Sequence, residues 1–283
     1  MPQNSSKALA GKVALITGAN TGIGRVTARE LARQGAQVFV ACRSAERAQA
    51  VLDDIGALPD SGKAEFLPLE LGDFASVRAC ADAFLARGLP LHLLINNAGL
   101  AGGRGYTKSG FELAFGVNHL GHFLLTQLLQ ERIKASAPAR IVTVASRAHY
   151  RAQGIDCEAV REPTRTLSGL KEYGVSKLAN VLFSAELGRR LAGSGVTTYS
   201  LHPGVVATDV WRSLPWPFGW LLKLALISAE EGAQTTLHCA TSPAVADESG
   251  LYYDSCRPRT PSRPARDAAL AKELWERSAA WVG

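Results

Sequence analysis

Short, unbroken apolar runs separated by longer amphipathic stretches constrain this chain more than any other feature of its sequence. KVALITG (12–18), QVFVAC (37–42), AEFLPLEL (64–71), LHLLINNAG (91–99), ARIVTVAS (139–146) and VTTYSLHPG (196–204) are continuous rather than alternating in hydrophobicity. Runs of this kind suit strands buried on both faces, as in a parallel sheet covered by helices. Between them, 22–34, 44–55, 74–87, 110–135 and 171–192 read as helices. A further helix is expected at 229–240, a last strand at GLYYD (250–254) and a closing helix near 266–280. Strand–helix–strand repeats with right-handed crossovers lay helices on both sides of one sheet. The expectation is an α/β, doubly wound parallel sheet. No Pro/Gly/Ser linker or repeat divides the sequence, so residues 11–283 are expected to form a single domain behind a short N-terminal tail, 1–10.

Composition removes several function classes. Lys and Arg number 31 against 25 Asp and Glu, a net charge of +6. Arg257, Arg259, Arg263 and Arg266 cluster in CRPRTPSRPARD, and the remaining basic residues are dispersed with no nucleic-acid motif among them. A basic excess alone speaks to solubility and non-specific contacts, so no nucleic-acid partner is expected. The cluster itself is expected to be a solvated loop ahead of the last helix. The five cysteines show no CxxC spacing, which fits neither a disulfide framework nor a zinc site. His119 and His122 form an HxxH without the i, i+4 spacing or the intervening Glu of a zinc helix, so packing roles and no metal are expected. MPQNSSKALA carries no apolar leader core. The greasiest window, Trp220–Ile227, is interrupted by Lys223 and is far shorter than the ~20 residues of a spanning helix. A reducing, cytoplasmic setting without a transmembrane segment is the expectation, with peripheral membrane contact left open.

The first apolar run ends in Gly18-Ala19-Asn20-Thr21-Gly22-Ile23-Gly24, a GxxxGxG turn that opens a helix. Residues without Cβ let the backbone approach a ligand closely, and a helix N-terminus offers unpaired N–H groups to a pyrophosphate. Glycine-rich turns are common, but this one stands at the first strand–helix junction of a βαβ unit, where dinucleotides bind. The second run ends at Arg43, about 20 residues beyond the glycines, where an NAD site places a carboxylate on the ribose 2′-hydroxyl. No Asp or Glu occurs there before Glu46. Arg43 can instead pair with a 2′-phosphate through its planar fork, which makes NADP(H) the expected cofactor over NAD(H).

Tyr173 and Lys177 stand four residues apart, on one face of the expected helix 171–192. A phenol with a pKa near 10 is a poor base at neutral pH, and a nearby ammonium would bring it down towards a usable acid/base. Ser146 closes the fifth apolar run, at the sheet edge where ligands of such folds bind, and its hydroxyl could hold a substrate carbonyl. Separately, a YxxxK pair or a strand-end Ser is commonplace. With the glycine turn they form a pattern.

That pattern resembles the short-chain dehydrogenase/reductase family, through TGANTGIG (17–24), NNAG (96–99), Asn118, Ser146, the YxxxK at 173–177 and PGVVAT (203–208). The resemblance implies a Rossmann-type fold and a hydride transfer between a nicotinamide cofactor and a carbonyl or alcohol. It implies Tyr173 as proton donor or base, and Lys177 as the holder of the nicotinamide ribose. Ser146 would orient the reacting oxygen, and Asn118 would position a relay water near Lys177. Gly18, Asn20, Thr21, Gly22, Ile23 and Gly24 would cradle the pyrophosphate, and Asn97, Ala98 and Gly99 would line the adenosine side. Pro203, Gly204, Val206 and Thr208 would clasp the nicotinamide. Glu70-Leu71 stands where members commonly carry an Asp that meets adenine, Ala145 replaces a frequent second Ser, and Asn20-Thr21 replaces a basic residue common in NADP-preferring members.

VNHLGHFLLT (117–126), LHPGVVATD (201–209), EGAQTTLHCA (231–240), SGLYYDSC (249–256) and the long interval between Ser146 and Tyr173 resemble the retinol dehydrogenase branch, whose members act on apolar aldehydes with NADPH. Trp211, Trp216, Phe218 and Trp220 fall just after Thr208, so a substrate lid is expected near 209–228. The expected activity is NADP(H)-dependent reduction of an apolar carbonyl, or oxidation of the matching alcohol. The alternative is a non-catalytic dinucleotide sensor or scaffold on the same fold. By analogy with the family, a homo-oligomer is expected.

Overall fold

The computed structural model describes residues 7–204 and 227–283. Its strands are β1 (Val13–Thr17), β2 (Gln37–Cys42), β3 (Ala64–Pro68), β4 (Leu93–Asn96), β5 (Ala139–Val144), β6 (Val196–His202), β7 (Leu251–Asp254) and β8 (Arg257–Pro258). They form one sheet in the order β3-β2-β1-β4-β5-β6-β7-β8. All neighbours are parallel except β8, which runs antiparallel to β7. The order reverses between β1 and β4, so the strand ends on either side diverge and leave a crevice there.

Helices cover both faces, and β1 shows why. Its alternate residues feed two separate cores. Val13 and Leu15 join Phe84, Phe123, Leu178 and Trp275 on one side. Ala14 and Ile16 join Leu31, Val51, Ile55 and Leu237 on the other. A period-two strand buried on both faces must be apolar throughout, which is why the runs carry no alternation. The first face is covered by α3 (Phe74–Leu85), α4 (Gly121–Lys134), α5 (Leu170–Arg190) and α7 (Ala268–Val282). The second is covered by α1 (Gly22–Arg33), α2 (Ala45–Gly56) and α6 (Ala229–Thr241). Side-chain caps fix several starts: Ser44 for α2, Asp73 for α3, a Ser228/Glu231 capping box for α6 and Asp267 for α7.

The structure departs from the sequence expectations in three places. The helix expected over 110–135 begins with a single α-turn, Leu113–Phe115, passes through a π-helical stretch, Gly116–Leu120, and only then becomes α4. β3 stops at Pro68 instead of reaching 71, because proline cannot extend the ladder as a donor. The Arg/Pro cluster is not a plain solvated loop. Ser255 and Cys256 both take positive φ (53° and 59°), which reverses the chain in two residues and lays β8 on β7. Beyond β8 the strand continues as a strap, with the Arg259 N–H bonded to the Tyr252 carbonyl at 2.8 Å. Within it, Ser262 and Ala265 are buried.

α7 packs its aromatic face on α4 and α5. Trp275 stacks on Phe183 at 5.9 Å and meets Phe123 edge-on at 5.0 Å, while Arg190 lies 4.5 Å over its other side. His119 donates into or accepts from Ser278 Oγ at 2.9 Å, with burial pushing its pKa down to about 3. It is a packing residue. No described helix is long and apolar enough to cross a membrane. Among the described residues no His/Cys/Asp/Glu cluster could hold a metal, and all five cysteines are free.

Candidate active site

The C-terminal ends of β1, β2, β4, β5 and β6 open into one cleft of about 1210 Å³. That is larger than the roughly 300–1,000 Å³ of most small-molecule sites, so a dinucleotide and a substrate can share it. Its walls include Gly18, Asn20, Thr21, Gly22, Ile23 and Gly24 from the first turn, and Arg43, Glu70, Leu71, Asn97, Ala98 and Gly99 further along. Ser146, Tyr173, Lys177, Pro203 and Gly204 complete the other end. Val206, Thr208 and residues 209–226 of the expected lid lie outside the described residues.

The glycine turn is shaped for close approach. A Cβ on Gly24 would lie 2.4 Å from the Gly18 carbonyl oxygen, and one on Gly18 would lie 2.9 Å from Ala98 Cα. Thr21 enters α1 without a side-chain cap, so the first N–H groups of that helix face the cleft unpaired by Thr21. These features fit a pyrophosphate.

Behind the turn lies a polar lattice that no local sequence signal announced. Thr17 Oγ accepts the Asn97 and Ala98 N–H groups, each at 2.9 Å, and meets His122 Nε2 at 2.8 Å. His122 Nδ1 donates to the Asn118 carbonyl at 3.0 Å. A carbonyl can only accept, so the proton sits on Nδ1 and the Thr17 hydroxyl donates to Nε2. Burial holds this imidazole neutral, with its pKa pushed down to about 4. The Asn97 amide is spent on the Thr17 carbonyl at 2.8 Å, so Asn97 shapes the cleft wall through the turn it ties.

Asn118 lies in the π-helical stretch. Its amide bonds the Leu100 N–H and carbonyl at 2.9 and 3.0 Å and Ser176 Oγ at 2.9 Å. Both amide N–H groups and the carbonyl oxygen are thus engaged, and the side chain clamps the loop after β4. A Cβ on Gly99 would lie 3.4 Å from both Asn118 Oδ1 and Lys177 Nζ, so the two residues flank that glycine.

Tyr173 and Lys177 project from α5 as one face. Tyr173 and Ser146 line the cleft together, and Ser146 Oγ accepts the Ala148 N–H at 3.1 Å. Lys177 Nζ donates to the Val144 carbonyl at 2.7 Å and lies 5.7 Å from the Tyr173 ring centre. The expectation that the ammonium lowers the phenol pKa is corrected here. Burial is the largest influence on Tyr173 and raises it, with the Ser146 side chain opposing. Burial also brings Lys177 down to about 7, so near neutral pH its charge is only partly present to act on the phenol.

Lys177 has a consequence for stability. Between pH 7 and its unfolded value near 10.4, the unfolded chain holds a proton that the folded one has released, so stability from this group rises with pH across that window. The wild-type minus Lys177→Met difference in cofactor-free melting temperature is expected to grow from pH 7 to pH 9. A flat difference would refute the shifted lysine.

Arg43 and Glu70 meet at the cleft mouth at 3.5 Å, with side chains 74% and 37% exposed. Glu70 also accepts the Gly72 N–H at 3.2 Å. An exposed pair of this kind is worth little, so Arg43 is free to turn to a better anion. Arg47, which the sequence reading passed over, lines the same mouth. So does Arg147 at the opposite end, where it forks onto Asp254 at 2.6 and 3.0 Å.

Comparison with known proteins agrees with this geometry. The family model described as short chain dehydrogenase matches residues 12–158. The chain is 44% identical to human (Homo sapiens) retinol dehydrogenase 11 over 289 residues, which span 99% of this chain and 88% of that protein. The crystal structure of an uncharacterized protein from Mycobacterium Paratuberculosis superimposes with a TM-score of 0.77 at 36% identity, over 97% of this chain and 94% of that one. The Pseudomonas aeruginosa RhlG/NADP active-site complex gives 0.69 at 27% identity, over 88% and 97%.

Proposed function

This chain belongs to the short-chain dehydrogenase family and is a hydride-transfer oxidoreductase that uses NAD(P)(H); on that premise we propose that it reduces apolar aldehydes or ketones with NADPH, or oxidises the matching alcohols. The observation that carries the reading is the convergence of Ser146, Tyr173 and the buried Lys177 in the cleft that the glycine turn opens.

The turn at Gly18–Gly24 and the cleft wall beyond it would hold NADPH, which would supply the hydride for the carbonyl carbon. Ser146 Oγ orients the carbonyl oxygen, and Tyr173 gives that oxygen its proton. A phenol raised by burial is a competent acid for an oxygen that gains negative charge, and the proton leaves the phenol only as that charge forms. Lys177 Nζ, near pKa 7, both donates hydrogen bonds to a ribose and returns a proton towards Tyr173. Asn118 keeps the β4 loop in place beside it. Tyr106, Leu113, Val117 and Leu170 add apolar surface to the cleft wall, which favours an apolar ligand. Retinaldehyde-like aldehydes are the substrate class that the 44% identity to a retinol dehydrogenase supports. The free cysteines support a reducing, cytoplasmic location. NADPH oxidation followed across a panel of apolar and polar aldehydes and ketones tests the reading. Turnover of the apolar members is expected, and silence across the panel with cofactor bound would overturn it.

The NADP preference rests on the missing carboxylate after β2 and on Arg43 and Arg47 at the mouth. Losing one charge-assisted contact costs about 1.5–3 kcal/mol, so Arg43→Ala should raise KM for NADPH by roughly 10- to 100-fold and leave KM for NADH nearly unchanged. Equal effects on both cofactors would refute a 2′-phosphate contact.

A further inference from the structure

Ser146 is held from a direction that the catalytic reading leaves unexplained. Its carbonyl accepts two bonds from His149, from the N–H at 3.1 Å and from Nδ1 at 2.7 Å. The other ring nitrogen, Nε2, accepts the Ser262 N–H at 3.2 Å, and Ser262 lies in the Arg/Pro strap. His149 is completely buried, with its ring 4.0 Å from that of Tyr150 and 4.8 Å from that of Tyr252. Tyr150 adds a second tie, its hydroxyl donating to the Thr260 carbonyl at 2.7 Å. The Arg147–Asp254 fork adds a third, since Asp254 opens the two-residue reversal that starts the strap.

Both partners fix the tautomer. The Ser146 carbonyl can only accept, so Nδ1 carries the proton. The Ser262 N–H can only donate, so Nε2 carries the lone pair. The ring must be neutral to make both bonds, and burial holds it so, lowering its pKa from the ordinary value.

We propose that His149 is a positioning residue for Ser146, coupling the catalytic serine to the strap at 257–266, so that the strap sets the direction in which the serine hydroxyl meets Tyr173 and the substrate. This rests on the reductase reading above. It also gives the arginine/proline segment a mechanical role in the site. Ser146 sits at the head of a short 3-10 turn, Arg147–Arg151. A single such turn has little stiffness of its own, and of its three ties to the sheet edge and strap the His149 ring is the one that holds the Ser146 carbonyl.

Two conservative substitutions separate the limbs of the bridge. Asn at position 149 can place an amide N–H where Nδ1 stood and keep the Ser146 limb. Gln can place a carbonyl oxygen where Nε2 stood and keep the strap limb. Each variant is measured for kcat, for NADPH affinity, and for amide hydrogen exchange in 146–151 and 257–266.

His149→Ala is expected to lower kcat about 10- to 100-fold, the scale of a small misplacement of a reacting group, with NADPH affinity unchanged and faster exchange in both segments. His149→Asn should recover the protection of 146–151 but only part of kcat, because the limb to the strap is missing and the strap stays fast. His149→Gln should restore the strap and leave kcat low. Full kcat in His149→Ala or in His149→Asn, or Asn no better than Ala, would overturn the proposal. A loss of cofactor affinity in step with kcat would also overturn it, as a general structural defect. Turnover by the wild type tests the reductase reading separately. Should the wild type be silent, the exchange pattern alone decides: uncoupled exchange in the two segments of His149→Ala refutes the bridge.

Discussion

Tyr173→Phe is expected to fold, bind NADPH as the wild type does, and reduce carbonyls about 10²- to 10⁴-fold more slowly, the range over which a positioned proton donor acts. The substitution removes one oxygen and leaves the ring, which is only 9% exposed and packed in place. The hydroxyl lost shares the cleft with Ser146, and it is the group able to give a proton to a carbonyl held by that serine. Lys177, buried with its Nζ 2.7 Å from the Val144 carbonyl and 5.7 Å from the ring centre, is read as feeding protons to Tyr173 and not to the substrate, so the variant lacks the final donor. Single-turnover measurement with bound NADPH isolates the chemical step. Wild-type rates in the variant would remove Tyr173 from the acid role, and a parallel fall in NADPH affinity would recast it as structural.

The second large effect is expected at Gly24. A Cβ there would stand 2.4 Å from the Gly18 carbonyl oxygen, 2.5 Å from Asn97 Nδ2 and 2.9 Å from Ala19 Cα. Two of those neighbours are backbone, so no rotamer change relieves the contact. Gly24→Ala must open the turn between β1 and α1, displace Asn97 from the Thr17 carbonyl, or both. Overpacking of this kind costs about 1–3 kcal/mol of stability. Displacing two charge-assisted bonds to a pyrophosphate, at about 1.5–3 kcal/mol each, weakens NADPH binding by more than about 100-fold. Gly56→Ala, in a helix with nothing within 4 Å of the added Cβ, is the control and should be harmless. Equal NADPH affinity in the two variants, by calorimetry, would show that the turn does not cradle the cofactor.

The sequence made the sheet, the cofactor turn and the catalytic face legible because each has a local signature. β1 must be apolar at every position to serve two cores, and Gly18, Gly22 and Gly24 mark a turn where side chains do not fit. Tyr173 and Lys177 share a helix face through spacing alone. The Thr17–His122–Asn118 lattice has no such signature, since its members lie up to 105 residues apart and meet only in the fold. HxxH suggested packing, and both imidazoles are buried, but only the structure shows one of them bridging the glycine turn to Asn118. The hairpin into the strap was hidden for another reason. Its two left-handed residues are Ser255 and Cys256, where turn chemistry leads one to look for Asn or Gly. Glu70 was placed by analogy with an adenine contact, and in the structure it faces Arg43.

α7 carries a consequence for biosynthesis. Residues 268–282 supply Trp275, Ser278 and Trp281, which seal Phe123, Phe183, His119, Phe111 and Phe115 from water. The strands and the glycine turn leave the ribosome long before that seal does. A nascent chain therefore carries a nearly complete sheet with an open aromatic flank, the kind of surface that chaperones bind and that aggregates when left bare. Folding of this oxidoreductase closes its aromatic flank only when α7 docks, long after the sheet has emerged.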